Sequence, residues 1–264
     1  MKLVDVHCHI NHERLKNQLD KVLQRAKDAG IQAILLSGVN PAANREVLEL
    51  AKKYPIIKAS LGIYPIDAIG LSEGETGLPV QKGKIDLDAE FKFIEDNLKD
   101  VVAIGEVGMD FHWADKDTYD EQAANFRRII QFAIKVNKPI VIHSRKAEEE
   151  CLQILEEEVN GKIPVIQHCF SGRKSLMTKA IELGHYFSIP PLICTASNFQ
   201  TLVKKAPIEQ LLTETDAPWL SPFKGKPNEP AYVLESIKKI AEVKGLTVEE
   251  VADSVWKNYE RIFS

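Results

Sequence analysis

The feature of this sequence that most constrains its fold is the alternation of short apolar segments with longer segments of helical period. Eight runs rich in β-branched residues have the length of strands: Leu3–Val6, Gln32–Leu36, Ile56–Leu61, Val101–Ile104, Pro139–Ile142, Ile163–Ile166, Tyr186–Ile189 and Ile208–Leu212. They are nearly all apolar and do not alternate apolar with polar residues. This pattern is typical of a parallel sheet that is covered on both faces.

Amphipathic segments with helical spacing lie between and after these runs. They are Glu13–Ala29, Ala42–Lys53, Leu87–Leu98, Tyr119–Val136, Lys146–Glu158, Arg173–Leu183, Pro230–Val243 and Val248–Ile262. Eight strands alternating with helices in a chain of 264 residues predict an α/β fold, specifically a (β/α)8 TIM barrel. No repeat and no shift in composition marks a domain boundary, so we expect a single domain over residues 1–264.

One segment interrupts the alternation. Residues 69–85 are rich in glycine and lack helical period. They predict a long loop after the third strand, on the face of the barrel where active sites lie. A lid over the site and a plain surface insertion are equally consistent with this sequence.

The charge balance limits the partners that this chain can attract. The 38 acidic residues exceed the 34 lysines and arginines, which gives a net charge of −4. A polyanionic substrate would therefore need local cations, which bound metal ions could supply. Four cysteines without a closely spaced pair fit the reduced thiols of a cytoplasmic protein. The start of the chain has no signal-peptide pattern and no apolar run is long enough to cross a membrane, so we expect a cytoplasmic protein without membrane association.

Residues of metal-binding type follow five of the predicted strands. They are His7, His9, Glu106, His143, His168 and Asp216. In a parallel barrel the carboxyl ends of the strands meet at the face that carries the chemistry. A single histidine after a strand is more often a hydrogen-bonded core residue than a ligand. Six such residues together are poorly explained in that way, and they predict a metal site.

The spacing of His7 and His9 gives a geometric reason for this prediction. Side chains two apart on a strand point to the same side, so both imidazoles can bind one divalent ion. Glu106 and Asp216 would supply oxygen ligands, and a carboxylate can bridge two ions about 3.5–4 Å apart. The two remaining histidines, on neighbouring strands, suit a second ion. Three histidines and one carboxylate suit a single site equally well, so spacing alone leaves the number of ions open.

Six short motifs occur in a fixed order along the chain. They are Asp5-Val6-His7-Cys8-His9, Ile104-Gly105-Glu106-Val107-Gly108-Met109-Asp110, Ile142-His143-Ser144-Arg145, His168-Cys169-Phe170-Ser171-Gly172, Glu214-Thr215-Asp216-Ala217-Pro218 and Pro227-Asn228-Glu229-Pro230. In this order they resemble the TatD family of metal-dependent deoxyribonucleases, from residue 3 to the end of the chain. The His-x-His pair alone is shared with the wider amidohydrolase barrels, whereas the ordered set is specific.

The resemblance implies a (β/α)8 barrel that hydrolyses phosphodiester bonds in DNA with two divalent ions. It implies one ion bound by His7, His9, Glu106 and Asp216, and a second ion bound by Glu106, His143 and His168. Glu106 would be the bridge, and Asp216 would orient the attacking water or accept its proton. These ligand types admit Zn²⁺, Mn²⁺, Fe²⁺ or Co²⁺, while Mg²⁺ would normally have fewer histidines.

Three further residues are candidate substrate contacts. The family usually has Gly-x-His-Pro after the third strand, and this chain has Tyr64 in place of the histidine. Tyr64 could bind a phosphate, or the substrate could differ. Trp113 lies where the family often carries an arginine, and it could stack on a base or be a partly buried loop residue. Arg145 could bind a phosphate or form an ion pair with Glu148 or Glu149.

Three functions remain open at this point. The first is a deoxyribonuclease of the 3′ exonuclease type, with DNA as substrate, RNA left open and no obligate protein partner. The second is an amidohydrolase or lactonase acting on a small molecule. Many of those enzymes bridge two ions with a carboxylated lysine on the fourth strand, whereas this chain has Glu106 there. The third is a barrel whose metal site is structural and whose role is binding.

Asp5 could orient a ligand imidazole or pair with a buried backbone group.

Overall fold

The computed structural model describes residues 1–71 and 77–263 of the chain. Its eight strands form one parallel sheet in which neighbours follow the order of the chain. They are β1 (Leu3–Cys8), β2 (Ile31–Ser37), β3 (Ile57–Leu61), β4 (Val101–Asp110), β5 (Ile140–Arg145), β6 (Val165–His168), β7 (Tyr186–Ile189) and β8 (Leu211–Thr213). The sheet curls into a nearly closed barrel, so the predicted (β/α)8 fold is confirmed.

Helices connect successive strands and cover the outside of the sheet. They are α1 (Glu13–Lys16), α2 (Leu19–Asp28), α3 (Pro41–Lys53), α4 (Pro65–Ala68), α5 (Leu87–Asp96), α6 (Tyr119–Lys135), α7 (Glu148–Glu158), α8 (Lys174–Glu182), α9 (Ser197–Lys205), α10 (Val233–Lys244) and α11 (Val248–Phe263). The strands are buried on both faces, which explains their apolar composition.

Several elements differ from the sequence prediction. The four-residue helix α4 was missed, and β4 extends to Asp110, so that Glu106 lies within the strand and not after it. The single helix expected over Glu13–Ala29 is two helices, because Gln18 leaves the helical conformation. The α9 helix was missed; it is only nine residues long and lies directly before β8. The strand expected over Ile208–Leu212 begins later, since residues 208–210 form a 3-10 turn after a proline.

The expected loop over residues 69–85 falls partly outside the described residues. Its described parts, 69–71 and 77–85, contain no helix. Leu78 and Pro79 in this segment line the cavity at the mouth of the barrel. In the described part of the chain, no helix combines the length and the apolar character that crossing a membrane requires.

A buried carboxylate links the first strand of the barrel to the segment that follows the last strand. Asp5 on β1 accepts hydrogen bonds from the Thr215 backbone N–H, at 3.0 Å, and from the Thr215 hydroxyl. It also accepts from the His7 backbone N–H at 3.3 Å. Of the two roles considered for Asp5, the structure therefore shows the pairing with backbone groups and not the orientation of an imidazole.

Backbone hydrogen bonds continue this junction to the mouth of the barrel. The Asp216 N–H donates to the His7 carbonyl at 2.9 Å, and the His9 N–H donates to the Ala217 carbonyl at 2.8 Å. The segments after β1 and β8 are thus fixed directly to each other. Because His7, His9 and Asp216 are all predicted ligands, this junction sets part of the site.

We expect Asp5→Ala to lower the free energy of unfolding by about 3 kcal/mol, because it leaves buried N–H groups without an acceptor. Urea unfolding followed by circular dichroism measures this change. Asp253→Ala is the matched control, since Asp253 is exposed on α11 and its loss should cost less than about 0.5 kcal/mol. Equal stability of the two variants would contradict the role of Asp5.

Candidate metal centre

All six predicted ligand residues lie together at the carboxyl end of the barrel, contributed by β1, β4, β5, β6 and the segment after β8. Their nitrogen and oxygen atoms form three overlapping groups, each with atoms within 4.8 Å of one another. The groups are His7, His9 and Glu106; Glu106, His143 and His168; and His7, His168 and Asp216.

Glu106 lies between two sets of imidazoles and turns one oxygen to each. Its Oε2 is 3.4 Å from His7 Nε2 and 3.5 Å from His9 Nε2. Its Oε1 is 2.7 Å from His143 Nδ1 and 3.9 Å from His168 Nε2. A carboxylate that bridges two metal ions presents its oxygens in this way.

Asp216 completes the first set. Its Oδ1 lies 3.6 Å from His7 Nε2 and 3.7 Å from His9 Nε2. Ligands bound tetrahedrally at 2.0–2.1 Å are about 3.3–3.4 Å apart, so these spacings fit a divalent ion. The Asp216 backbone has a φ of 55°, a left-handed conformation that is uncommon for a residue with a side chain. Its hydrogen bond to the His7 carbonyl helps to hold that conformation.

Ser37, the last residue of β2, holds both histidines of the first set. Its hydroxyl is 3.0 Å from His7 Nδ1, and its carbonyl accepts from His9 Nδ1 at 3.1 Å. Each ring is therefore fixed through its outer nitrogen, while its Nε2 faces the cluster. The two Nε2 atoms are only 3.2 Å apart.

The other two histidines are held by carboxylates. Asp110, at the end of β4, contacts His143 Nε2 at 2.8 Å. Glu214 contacts His168 Nδ1 at 2.8 Å and also accepts from the Ser188 hydroxyl. A carboxylate behind a ligand imidazole fixes the ring and increases its basicity.

These holding residues were not predicted as part of the site. Asp110 and Glu214 lie within the quoted motifs, and their position at strand ends was the signal that could have found them. Ser37 gave no such signal, because a serine at the end of a strand is common. Only the pairing of β1 with β2 places it beside the histidines.

A close approach of β3 to Glu106 explains a glycine beside the site. A Cβ atom at Gly62 would lie 2.2 Å from the Glu106 backbone nitrogen. Any larger residue would therefore push the segment after β3 away from the central carboxylate.

The buried carboxylates of the cluster differ in their protonation. Burial alone would raise the pKa of Glu106, but charge on His7 and hydrogen bonds from the facing imidazoles hold it well below its usual value. Burial raises the pKa of Asp216 to about 7, against the opposing effect of His168. Glu106 is thus held as an anion, whereas Asp216 can carry a proton near neutral pH.

The imidazoles of the cluster also differ in their protonation. Burial and the neighbouring charge of His168 lower the pKa of His7 to about 3. Burial also lowers the pKa of His143 and His168, but the carboxylates around them have the larger combined effect. They raise the pKa of His143 to about 9 and that of His168 to about 10. Without a cation, protons offset the negative charge of the cluster. Binding of a metal ion would displace these protons.

A cavity of about 1140 Å³ opens over the cluster, and Tyr64, Trp113 and Arg145 all line it. Tyr64 is buried, and its hydroxyl donates to Asp110 Oδ2 at 2.8 Å. The sequence had suggested a phosphate as the partner of that hydroxyl, and the structure gives it a partner within the protein. The Tyr64 ring lies edge-on to His143, with centroids 4.9 Å apart.

Trp113 and Arg145 lie side by side at the rim of this cavity. Trp113 lies in the loop after β4 and is 61% exposed. The Arg145 guanidinium lies 5.7 Å from the centre of the Trp113 ring. The expected ion pair of Arg145 with a following glutamate does not form among the described residues, where Glu149 pairs with Arg173 instead.

Comparison with known proteins shows the family of this chain. The family model described as TatD related DNase matches residues 4–264. The uncharacterized metal-dependent hydrolase YabD of Bacillus subtilis is 36% identical over 99% of this chain and 98% of its own. The human deoxyribonuclease TATDN3 is 34% identical over 99% of this chain and 94% of its own.

A solved structure supports the same assignment. The crystal structure of YJJV, a TatD homolog from Escherichia coli, superposes with a TM-score of 0.87 at 25% identity, covering 99% of this chain and 97% of that one. The chain therefore belongs to the TatD family of metal-dependent hydrolases.

Proposed function

We propose that this protein is a deoxyribonuclease that cleaves DNA phosphodiester bonds with two divalent metal ions. The observation that carries the proposal is the position of Glu106, whose two oxygens face two separate sets of imidazoles. The names of relatives that are called deoxyribonucleases support DNA as the substrate. The 3′ exonuclease direction remains a prediction of the resemblance.

The ligand set fits two ions that share one carboxylate. We propose that the first ion is held by His7, His9, Glu106 and Asp216, and the second by Glu106, His143 and His168. The mixture of imidazole and carboxylate ligands is suitable for Zn²⁺, Mn²⁺, Fe²⁺ or Co²⁺, and less so for Mg²⁺. When bound, such ions supply positive charge that acidifies water and stabilises the oxygens of an in-line displacement at phosphorus.

The residues of the chain supply the remaining functions. Asp216 reaches the cavity and can orient the attacking water or accept its proton. The water oxygen bonds to phosphorus, the phosphorus–oxygen bond to the leaving nucleotide breaks, and that oxygen takes a proton from solvent. Arg145 is exposed at the rim and can bind a phosphate oxygen of the strand.

Two further residues shape the substrate side of the cavity. Trp113 offers an exposed indole on which an unpaired base can stack. We propose that Tyr64 contacts the substrate through its ring beside His143, since its hydroxyl already donates to Asp110.

Removal of metal should abolish hydrolysis, and Mn²⁺ or Mg²⁺ should restore it. The reason is that the proposed mechanism relies on the ions to acidify the attacking water and to stabilise the oxygens of the displacement. The measurement is cleavage of a fluorescent single-stranded DNA after exhaustive dialysis against a chelator, with and without each ion. Unchanged activity of the stripped protein would rule out the metal mechanism.

Three substitutions should differ in how much metal they retain. Glu106→Ala should have the lowest content, because it removes the ligand common to both ions and the negative charge between them. His168→Ala should lose mainly the second ion, and Asp216→Asn should be nearest to wild type. Elemental analysis gives the stoichiometry, and all three variants should be severely impaired in DNA cleavage. Two tightly bound ions in Glu106→Ala would show that Glu106 is not the bridge.

Glu214→Gln should weaken metal binding although Glu214 is not itself a proposed ligand. An amide makes His168 a less basic and less firmly held ligand, and such changes cost about 10- to 100-fold in metal affinity. Competition of Zn²⁺ between the protein and a chromogenic chelator measures it. Glu209→Gln, an exposed glutamate, is the control and should bind as wild type does. Identical affinity of the two variants would refute a supporting role for Glu214.

A further inference from the structure

The arginines of this chain divide into two classes. Most have a partner: Arg25, Arg45, Arg127, Arg128 and Arg173 pair with carboxylates, and Arg261 donates to a backbone carbonyl. Among the described residues, the two arginines whose guanidinium has neither an ion pair nor a hydrogen bond both line the cavity. They are Arg14 and Arg145.

These two arginines lie on opposite sides of the barrel mouth. Arg14 is in α1, directly after β1, and Arg145 is the last residue of β5. The eight strands follow one another around the barrel in chain order, so β1 and β5 are half a turn apart. The cavity that both arginines line opens over the ligand cluster.

Each of the two elements that carry these arginines also has a tryptophan nearby. Trp113 lies against Arg145, as described above. Trp219, in the segment after β8, has its ring centre 5.2 Å from that of His12. His12 Nδ1 in turn accepts a hydrogen bond from the Arg14 backbone N–H at 3.1 Å. Both tryptophans line the same cavity.

We propose that the mouth of the barrel holds two nucleotide subsites, Arg14 with Trp219 on one side of the ligand cluster and Arg145 with Trp113 on the other. The preferred substrate is then a single-stranded polynucleotide with a nucleotide that carries its own phosphate on each side of the phosphate being cleaved. This inference rests on the proposed function and specifies the extent of its substrate.

The chemistry of each pair suits one nucleotide. A guanidinium binds phosphate oxygens through two parallel N–H bonds, and an indole stacks on an unpaired base. A duplex would keep its bases from the indoles. A small ester would engage neither pair fully. In a chain of net charge −4, unpaired guanidinium groups facing one cavity give the local attraction that a polyanion needs.

Four short substrates test the proposal. They are a thymidine dinucleotide with no terminal phosphate, with a 5′ phosphate, with a 3′ phosphate, and with both. Each added phosphate should raise kcat/KM of the wild-type enzyme by about tenfold, as a charged hydrogen bond does. Arg14→Met should lose the gain from one terminal phosphate only, and Arg145→Met the gain from the other only. Which phosphate belongs to which arginine also gives the direction of the strand.

Arg128→Met is the matched control, because Arg128 lies on α6 in a surface ion pair with Asp88 and should respond to all four substrates as wild type does. The proposal is wrong if Arg14→Met behaves as this control. It is also wrong if Arg14→Met or Arg145→Met lowers kcat/KM by the same factor on all four substrates, since that result places the arginine at the phosphate being cleaved.

The tryptophans are tested with an oligonucleotide that lacks one base. Trp219→Leu and Trp113→Leu should each raise KM for a complete single strand several-fold. When the strand lacks the base on the side of the substituted tryptophan, that variant should have the same KM as the wild-type enzyme has for the same strand. Additive losses would contradict stacking.

A binding measurement separates this inference from the proposed function. The probe is fluorescein-labelled single-stranded decathymidine, bound to metal-stripped protein and followed by anisotropy at several salt concentrations. Each arginine variant should reduce the slope of log Kd against log salt by about 0.7. If no dinucleotide is hydrolysed with any divalent ion, the deoxyribonuclease proposal fails. In that case the salt slopes alone test the two subsites. Slopes equal to wild type in both arginine variants would overturn the proposal of two subsites.

Discussion

The site depends on one buried carboxylate that faces two sets of imidazoles. Glu106 on β4 is almost fully buried, and burial of an anion is costly unless opposite charge or hydrogen bonds offset it. Here the offset comes from histidines on three other strands, β1, β5 and β6. Bound cations would take the place between carboxylate and imidazole that protons otherwise fill.

The rest of the barrel keeps these groups in place. The outer nitrogen of every imidazole in the cluster has a partner: Ser37 for His7 and His9, Asp110 for His143, and Glu214 for His168. Hydrogen bonds between the segments after β8 and β1 fix His7, His9 and Asp216 relative to each other. The strands and their ends hold the proposed ligands, while Trp113 and Arg145 line the exposed rim of the cavity. This division is characteristic of barrel enzymes.

The sequence predicted much of this, for identifiable reasons. Apolar runs of strand length revealed the barrel, and His7, Glu106 and Asp216 were found because polar residues stood where buried strands end. Contacts between residues of different strands could not be predicted from the sequence. Ser37 is 30 residues from His7, and Asp5 is 210 residues from Thr215. Arg14 gave no signal either, because only the fold shows that it lines the same cavity as Arg145.

Diffraction from crystals soaked in Mn²⁺ or Zn²⁺, recorded at the absorption edge of the metal, tests the central claim most directly. The account predicts two anomalous peaks about 3.5–4 Å apart, with Glu106 contacting both. It also predicts His7, His9 and Asp216 around one peak, and His143 and His168 around the other. A single peak at full occupancy, or two peaks that Glu106 does not join, would contradict it.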